Sequence, residues 1–136
     1  MRKVLILLFS LFVFSACDPC NQKLILINNT EDSIYFDWST NTVPTVNTYW
    51  ELLYPYDTVK PCYMGGWIYA INRESIDSTL HIFIFPMDRI TDDLKNSKEV
   101  QLTDEQIKNS KYERLSFTVK ELDSLNWTVV YRGQNK

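Results

Sequence analysis

A single histidine, no apolar run beyond residue 14 long enough to span a bilayer, and no excess of positive charge set the first limits on this 136-residue chain. Two cysteines, Cys20 and Cys62, and one distant histidine provide fewer ligands than a zinc centre needs. The Gly-x-Ser-x-Gly nucleophile turn, the phosphate-binding loop and a complete zinc signature are all missing. No catalytic residue, cofactor or metal ligand is therefore expected, and the enzyme class is disfavoured. His81 lies inside a strongly apolar segment. A lone histidine there reads as a packed, hydrogen-bonded core residue, because a general base needs a cleft and a partner. Asp88, Asp92 and Asp93 lack the spacing of a calcium loop and read as the solvated start of a helix. Internal repeats and low-complexity tracts are absent, so disorder is expected only at the ends.

The N-terminus carries the clearest positive signal. Arg2 and Lys3 precede an apolar stretch over 4–14 that only Ser10 interrupts. That length lies within the roughly 7–15 residues of a signal-peptide core and below the ~20 that span a bilayer. Small residues at the last and third-last positions mark ordinary cleavage. Phe14-Ser15-Ala16-Cys17 offers a bulky residue at the third-last position for a cut before Cys17. The four residues resemble the bacterial lipobox, a large apolar residue and two small ones before an obligatory cysteine, with Phe14 where leucine is usual. The resemblance implies cleavage before Cys17, its lipidation, and anchorage to a bilayer outside the cytoplasm. Ordinary cleavage after Cys17, with Ser15 and Cys17 as the small pair, is the rival.

Loss of residues 1–16 takes Arg2 and Lys3 from the 14 Lys+Arg and leaves 12 against 17 Asp+Glu, a net of −5 over 120 residues. That size suits one domain with a single core. The acidic balance argues against nucleic acid or an anionic membrane surface as an electrostatic partner. With Cys17 lipidated, Cys20 and Cys62 remain, and an oxidising compartment favours their pairing. A bridge would close a loop of about 40 residues and stabilise the fold by ~3–4 kcal/mol.

Strand patterns dominate the first half. Residues 23–28 (KLILIN) and 33–38 (SIYFDW) flank a polar turn at 29–32 and are expected to form a hairpin. A loop is expected over 39–50, then short strands over 59–63 and 67–72 around Gly65-Gly66. Residues 79–85 (TLHIFIF) are apolar on both faces, which places that strand inside a sheet covered on both sides. Helices are expected at 88–96, 104–109 and 119–125, the last two behind the capping boxes Thr103/Gln106 and Thr118/Glu121. Strands over 112–118 and 127–131 close the pattern. The expected fold is α+β: six or seven strands, mainly antiparallel and sandwich-like, with a few short helices after a signal peptide. Its divisions are a signal peptide (1–16), an anchored linker (17–22) and one globular domain (23–132). The order of Asn28 to Thr30, Ile34 to Phe36, Trp67, Leu80 to Phe85, and Tyr112 through Trp127 resembles small Bacteroidota-type lipoproteins. The likeness implies a fold class and an address but no reaction.

Two further patterns bear on function. Tyr49, Trp50, Tyr54 and Tyr56 cluster in YWELLYPY, and flat rings on a loop can stack on a glycan or peptide; otherwise they cover the end of a small core. Asp followed by Ser or Thr and then an apolar residue or Thr places Ser33, Thr58, Ser78 and Ser124 in triplets. The triplets resemble the acceptor motif for O-glycosylation of exported Bacteroidota proteins. Ser33, Thr58 and Ser78 are the stronger candidates, since Ser124 falls in an expected helix, and Asp-Ser pairs also serve as ordinary turns. Only five residues separate Cys17 from the first strand, a reach of about 17 Å, so the domain would sit close to the bilayer. The expected role is a non-enzymatic envelope component that binds another protein. The alternative is a glycan- or peptide-binding module using residues 49–56.

Overall fold

The computed structural model describes residues 20–45, 49–87, 99–109 and 111–133. Eight strands and three helices fall within them: β1 (Ile25–Asn28), β2 (Ile34–Ser39), β3 (Tyr49–Leu53), β4 (Thr58–Val59), α1 (Trp67–Arg73), β5 (Thr79–Pro86), β6 (Glu99–Gln101), α2 (Asp104–Asn109), β7 (Glu113–Thr118), α3 (Val119–Ser124) and β8 (Thr128–Tyr131). The strands make two sheets, ordered β4-β1-β8 and β6-β3-β2-β5-β7. Every pairing is antiparallel except β1 with β8, which run parallel from Ile25↔Thr128 to Asn28↔Tyr131. The chain is thus a mixed α+β fold with two mainly antiparallel sheets and short helices, in the class its sequence indicates.

Strand alternation builds two cores from one sheet. Leu80, Ile82 and Ile84 of β5, with Ile34 and Phe36 of β2, face the smaller sheet. Leu26, Val129 and Tyr131 meet them from that sheet, and Trp67, Ile71 and Leu122 close the layer from α1 and α3. Phe83 and Phe85 point the other way and pack with Tyr35, Trp50, Val100, Leu102 and Ile107 of α2. The result is three layers, with the five-stranded sheet in the middle. Leu80 to Phe85 are all buried, as a strand apolar on both faces requires.

Several expectations change. The segments 23–28 and 33–38 do not form a hairpin: β1 lies in the small sheet and β2 in the large one. Asn28 is the physical reason. Fully buried, it donates through Nδ2 to the carbonyls of Asp32, Leu53 and Tyr54 at 2.8, 3.3 and 3.0 Å. Its Oδ1 accepts from the amide and hydroxyl of Thr30. The clasp makes 28–32 a corner between sheets, where a hairpin would keep both arms in one ladder.

The expected strand at 67–72 is instead helix α1. Trp67, Ala70 and Ile71 are its buried residues, the i, i+3, i+4 spacing of a helix, and a short apolar run reads equally well either way. The strand expected over 59–63 shrinks to Thr58–Val59, because Pro61 has no amide for a ladder; Tyr63 rejoins through an isolated bridge to Asn21. The loop expected over 39–50 ends early, and residues 49–53 are strand β3, paired with β2 and β6. The helix expected over 88–96 lies outside the described residues.

Helices α2 and α3 stand where their capping boxes put them. Thr103 Oγ1 accepts from the Gln106 amide while Gln106 Oε1 accepts from the Thr103 amide. Thr118 and Glu121 repeat the exchange at α3.

The Asn28 clasp yields a direct test. Asn28→Ala leaves the buried Leu53 carbonyl and two part-buried carbonyls without this donor and should cost about 1–3 kcal/mol. The exposed neighbour change Asn29→Ala should stay within about 0.5 kcal/mol. Urea unfolding of both variants separates the two, and equal midpoints would show that the clasp is not what holds the corner.

Candidate functional site

The N-terminal end of the described chain is tied to α1 by four contacts. Cys20 and Cys62, 42 positions apart in sequence, form a disulfide with Cα atoms 5.5 Å apart. Asn21 and Tyr63 exchange backbone hydrogen bonds at 3.2 Å in both directions. The Trp67 indole N–H donates to the Asn21 carbonyl at 2.9 Å. Trp67 is itself buried and stacks edge-on with Trp38 at 4.6 Å between centroids. The helix cannot turn without breaking this clamp, so its outer face is fixed relative to Cys20.

That outer face is apolar and open. Ile68 and Tyr69 of α1 are exposed; Met64, just before the helix, is 77% exposed and Ile76, just after it, 90%. Ile68 and Tyr69 lie on α1 itself, and Met64 and Ile76 flank its two ends. Single exposed apolar residues are ordinary; here four fall within 13 residues on and beside one short helix. Sequence reasoning misses it because 67–72, with Ile68 and Tyr69, reads there as a strand, while Met64 and Ile76 fall between expected elements. The signal was present as isolated large apolar residues beside Gly65-Gly66 and among polar neighbours.

The expected aromatic cluster does not assemble on a loop. Trp50 is wholly buried in β3 and packs edge-on against Phe85 at 4.3 Å; its indole N–H has no acceptor among the described residues. Tyr54 and Tyr56 are exposed on the turn that follows β3, clasped by the Asp57 amide to the Tyr54 carbonyl. The side chain of Tyr49 lies outside the described residues. The cluster is thus divided between a core and a turn, and a stacking platform that includes Trp50 does not exist.

Of the triplet hydroxyls, Thr58 and Ser78 are exposed and Ser33 is half-buried. Ser78 occupies a left-handed turn with φ of 56°. Ser124 donates to the Glu121 carbonyl from within α3. Cys17 lies outside the described residues. Among the described residues no group of His, Cys, Asp and Glu could hold a metal ion, and no helix is long and apolar enough to cross a membrane.

A polar cluster interrupts the second core at one end of β5. His81 is 2% exposed, opposite Ser39 of β2 and Ser116 of β7 in the register. Its Nδ1 is 2.8 Å from Ser116 Oγ. Its Nε2 is 2.9 Å from Thr79 Oγ1 and 3.2 Å from Asp77 Oδ2. The Thr79 hydroxyl also donates to Asp77 Oδ1, which accepts from Ser75 Oγ at 2.8 Å and from the Thr79 amide at 3.2 Å. The Thr79 and Ser75 hydroxyls, with the nearby His81, hold the Asp77 carboxyl well below the usual carboxylate range. His81 is therefore packed and hydrogen-bonded, as expected of it, but its partners include an exposed serine and a carboxylate.

An apolar groove of about 280 Å³ opens between β7 and β8, lined by Leu115, Phe117, Leu125, Val129 and Val130. Both strands end their sheets, so the groove runs between two strand edges. No family model, curated protein or solved structure matches the chain.

The Asp77 cluster predicts part of the acid response. A carboxyl whose folded pKa is lowered contributes stability above its unfolded value and loses it as pH falls toward the folded one. That contribution should be complete above about pH 5 and drain away below it. Asp77→Asn should flatten the loss of stability between about pH 5 and pH 2, read from urea midpoints. A slope identical to that of the unmodified chain would show that the turn does not sense the charge.

Proposed function

We propose that this chain is an extracytoplasmic lipoprotein, held on a membrane through acyl groups on Cys17, whose α1 face docks a protein in the same envelope. The observation that carries the reading is the open apolar set Met64, Ile68, Tyr69 and Ile76 on and around the element clamped to Cys20. Two residues, Asp18 and Pro19, lie between Cys17 and Cys20, so the two Cα atoms are at most about 10 Å apart. An acylated Cys17 would therefore hold the α1 face within a few residues' length of the bilayer. A Cys20–Cys62 bridge suits an oxidising compartment.

A protein partner is favoured over the lipid surface itself. The net charge of −5 after cleavage repels anionic headgroups, and α1 offers one cation, Arg73. Met, Tyr and Arg are residue types enriched at protein interfaces, and Met64, Tyr69 and Arg73 share this surface. In that compartment the exposed hydroxyls of Thr58 and Ser78 are the proposed glycan acceptors. An intact mass equal to the bare acylated chain would remove that part of the reading.

The test is affinity purification of the tagged full chain from its native membranes, beside the double variant Ile68→Asp/Tyr69→Asp. A partner at comparable abundance should accompany the unmodified chain and fall at least about tenfold in the variant, the loss expected when interface anchors are replaced. Cys17→Ser should leave the membrane fraction. Equal recovery of partner with both forms, or a Cys17→Ser chain that stays on membranes, contradicts the proposal. Binding of the unacylated chain to vesicles of neutral lipid through the same residues would assign the face to lipid instead.

A further inference from the structure

The hydrogen bonds around His81 fix which ring nitrogen carries the proton. Thr79 has one hydroxyl proton and gives it to Asp77 Oδ1. Its oxygen, 2.9 Å from His81 Nε2, is left to accept. Asp77 Oδ2, also at Nε2, is a carboxylate and can only accept. Both neighbours therefore require Nε2–H. In the neutral ring the lone pair then sits on Nδ1, facing the Ser116 hydroxyl at 2.8 Å. A serine hydroxyl donating to an imidazole whose far nitrogen is held by a carboxylate is the arrangement that activates a nucleophile.

Ser116 is also presented outward. The amides of Thr79 and Thr118, opposite each other in the ladder, are both used locally: Thr79 by Ser75 and Asp77, Thr118 by Glu121. That pair is therefore not hydrogen-bonded across the strands. Alternation along an antiparallel ladder makes His81 and Ser116 the next such pair, with their side chains close and the Ser116 amide directed away from β5. Strand β7 ends its sheet, and among the described residues no strand covers that edge. Ser116 is exposed, whereas His81 behind it is not. The exposed residue thus holds its hydroxyl against His81 on the sheet face and directs its own amide N–H off the adjoining edge, the latter a donor for a developing oxyanion.

We propose that Ser116 is an activated nucleophile for carboxylic esters, with His81 as its general base and Asp77 and Thr79 as positioning residues that hold the ring in the Nε2–H form. Ser116 Oγ bonds to the ester carbonyl carbon while its proton passes to His81 Nδ1. The tetrahedral oxyanion lies at the Ser116 amide. Its collapse breaks the carbon–oxygen bond to the leaving group, and the alkoxide takes the proton from Nδ1 and departs as an alcohol. Water then attacks the acyl-serine, giving a proton to Nδ1, and the carboxylic acid leaves as that proton returns to Ser116 Oγ. The inference does not depend on the α1 face or on the lipid anchor.

A fluorophosphonate probe tests it on the whole chain. One probe should add per chain, with the modified peptide containing Ser116, and Ser116→Ala should abolish the mass shift. Asp77→Asn and Thr79→Val should label roughly 100-fold or more slowly, within the range a positioned general base contributes. Circular dichroism should show each variant folded, and 4-nitrophenyl acetate should give a burst of nitrophenol that Ser116→Ala lacks. No labelling of the folded unmodified chain, labelling that persists in Ser116→Ala, or an unchanged rate in both positioning variants would overturn the proposal. A serine that only satisfies a buried histidine would leave every one of these readouts at background.

Discussion

The burial of β5 on both faces is the constraint on which the rest of the structure depends. A strand with apolar residues on one side needs one cover; β5, buried from Leu80 to Phe85, needs two. The small sheet with α1 and α3 supplies one cover, and α2 with its neighbours supplies the other. Removal of either layer would expose side chains worth roughly 1.5–3 kcal/mol apiece. The only break in this apolar strand is His81, and it falls where the second core gives way to polar groups. The position that costs most to leave unsatisfied is thus the one around which Asp77, Thr79 and Ser116 converge.

Much of this was legible in the chain and some was not, for identifiable reasons. The two-sided strand and both capping boxes depend on residues near in sequence, and they stand as read. WIYAIN defeated the reading because a six-residue apolar run has no decisive period. The missing hairpin was hidden for another reason: Asn28 reaches Leu53 and Tyr54, whose positions no local pattern reveals. The same holds for Ser116, which is 35 residues from His81 and meets it only through the β5–β7 register. Trp50 ends a stretch over 39–50 whose Ser, Thr, Asn and Pro content reads as a loop, yet pairing with β2 and β6 draws it into the core.

The two proposed surfaces are built by different physics. At α1, the disulfide, the Asn21–Tyr63 bridge and the buried Trp67 hold a short helix that few other contacts would fix. The apolar residues on its far side gain nothing from the fold, which is why their placement speaks to a partner. At His81 the reverse holds: the polar side chains are tied to one another, and the proposed chemistry lies in Ser116, exposed in front of the buried ring. The first surface would act by burying area and the second by moving a proton. Each can fail without the other.

The docking claim is met most directly by photo-crosslinking in native membranes, with a photoreactive residue placed at Ile68 and, separately, at Tyr56 on the turn after β3. The account predicts one dominant protein adduct from position 68 and none of the same mass from position 56. An adduct of equal yield from both positions, or only lipid adducts from position 68, would contradict it.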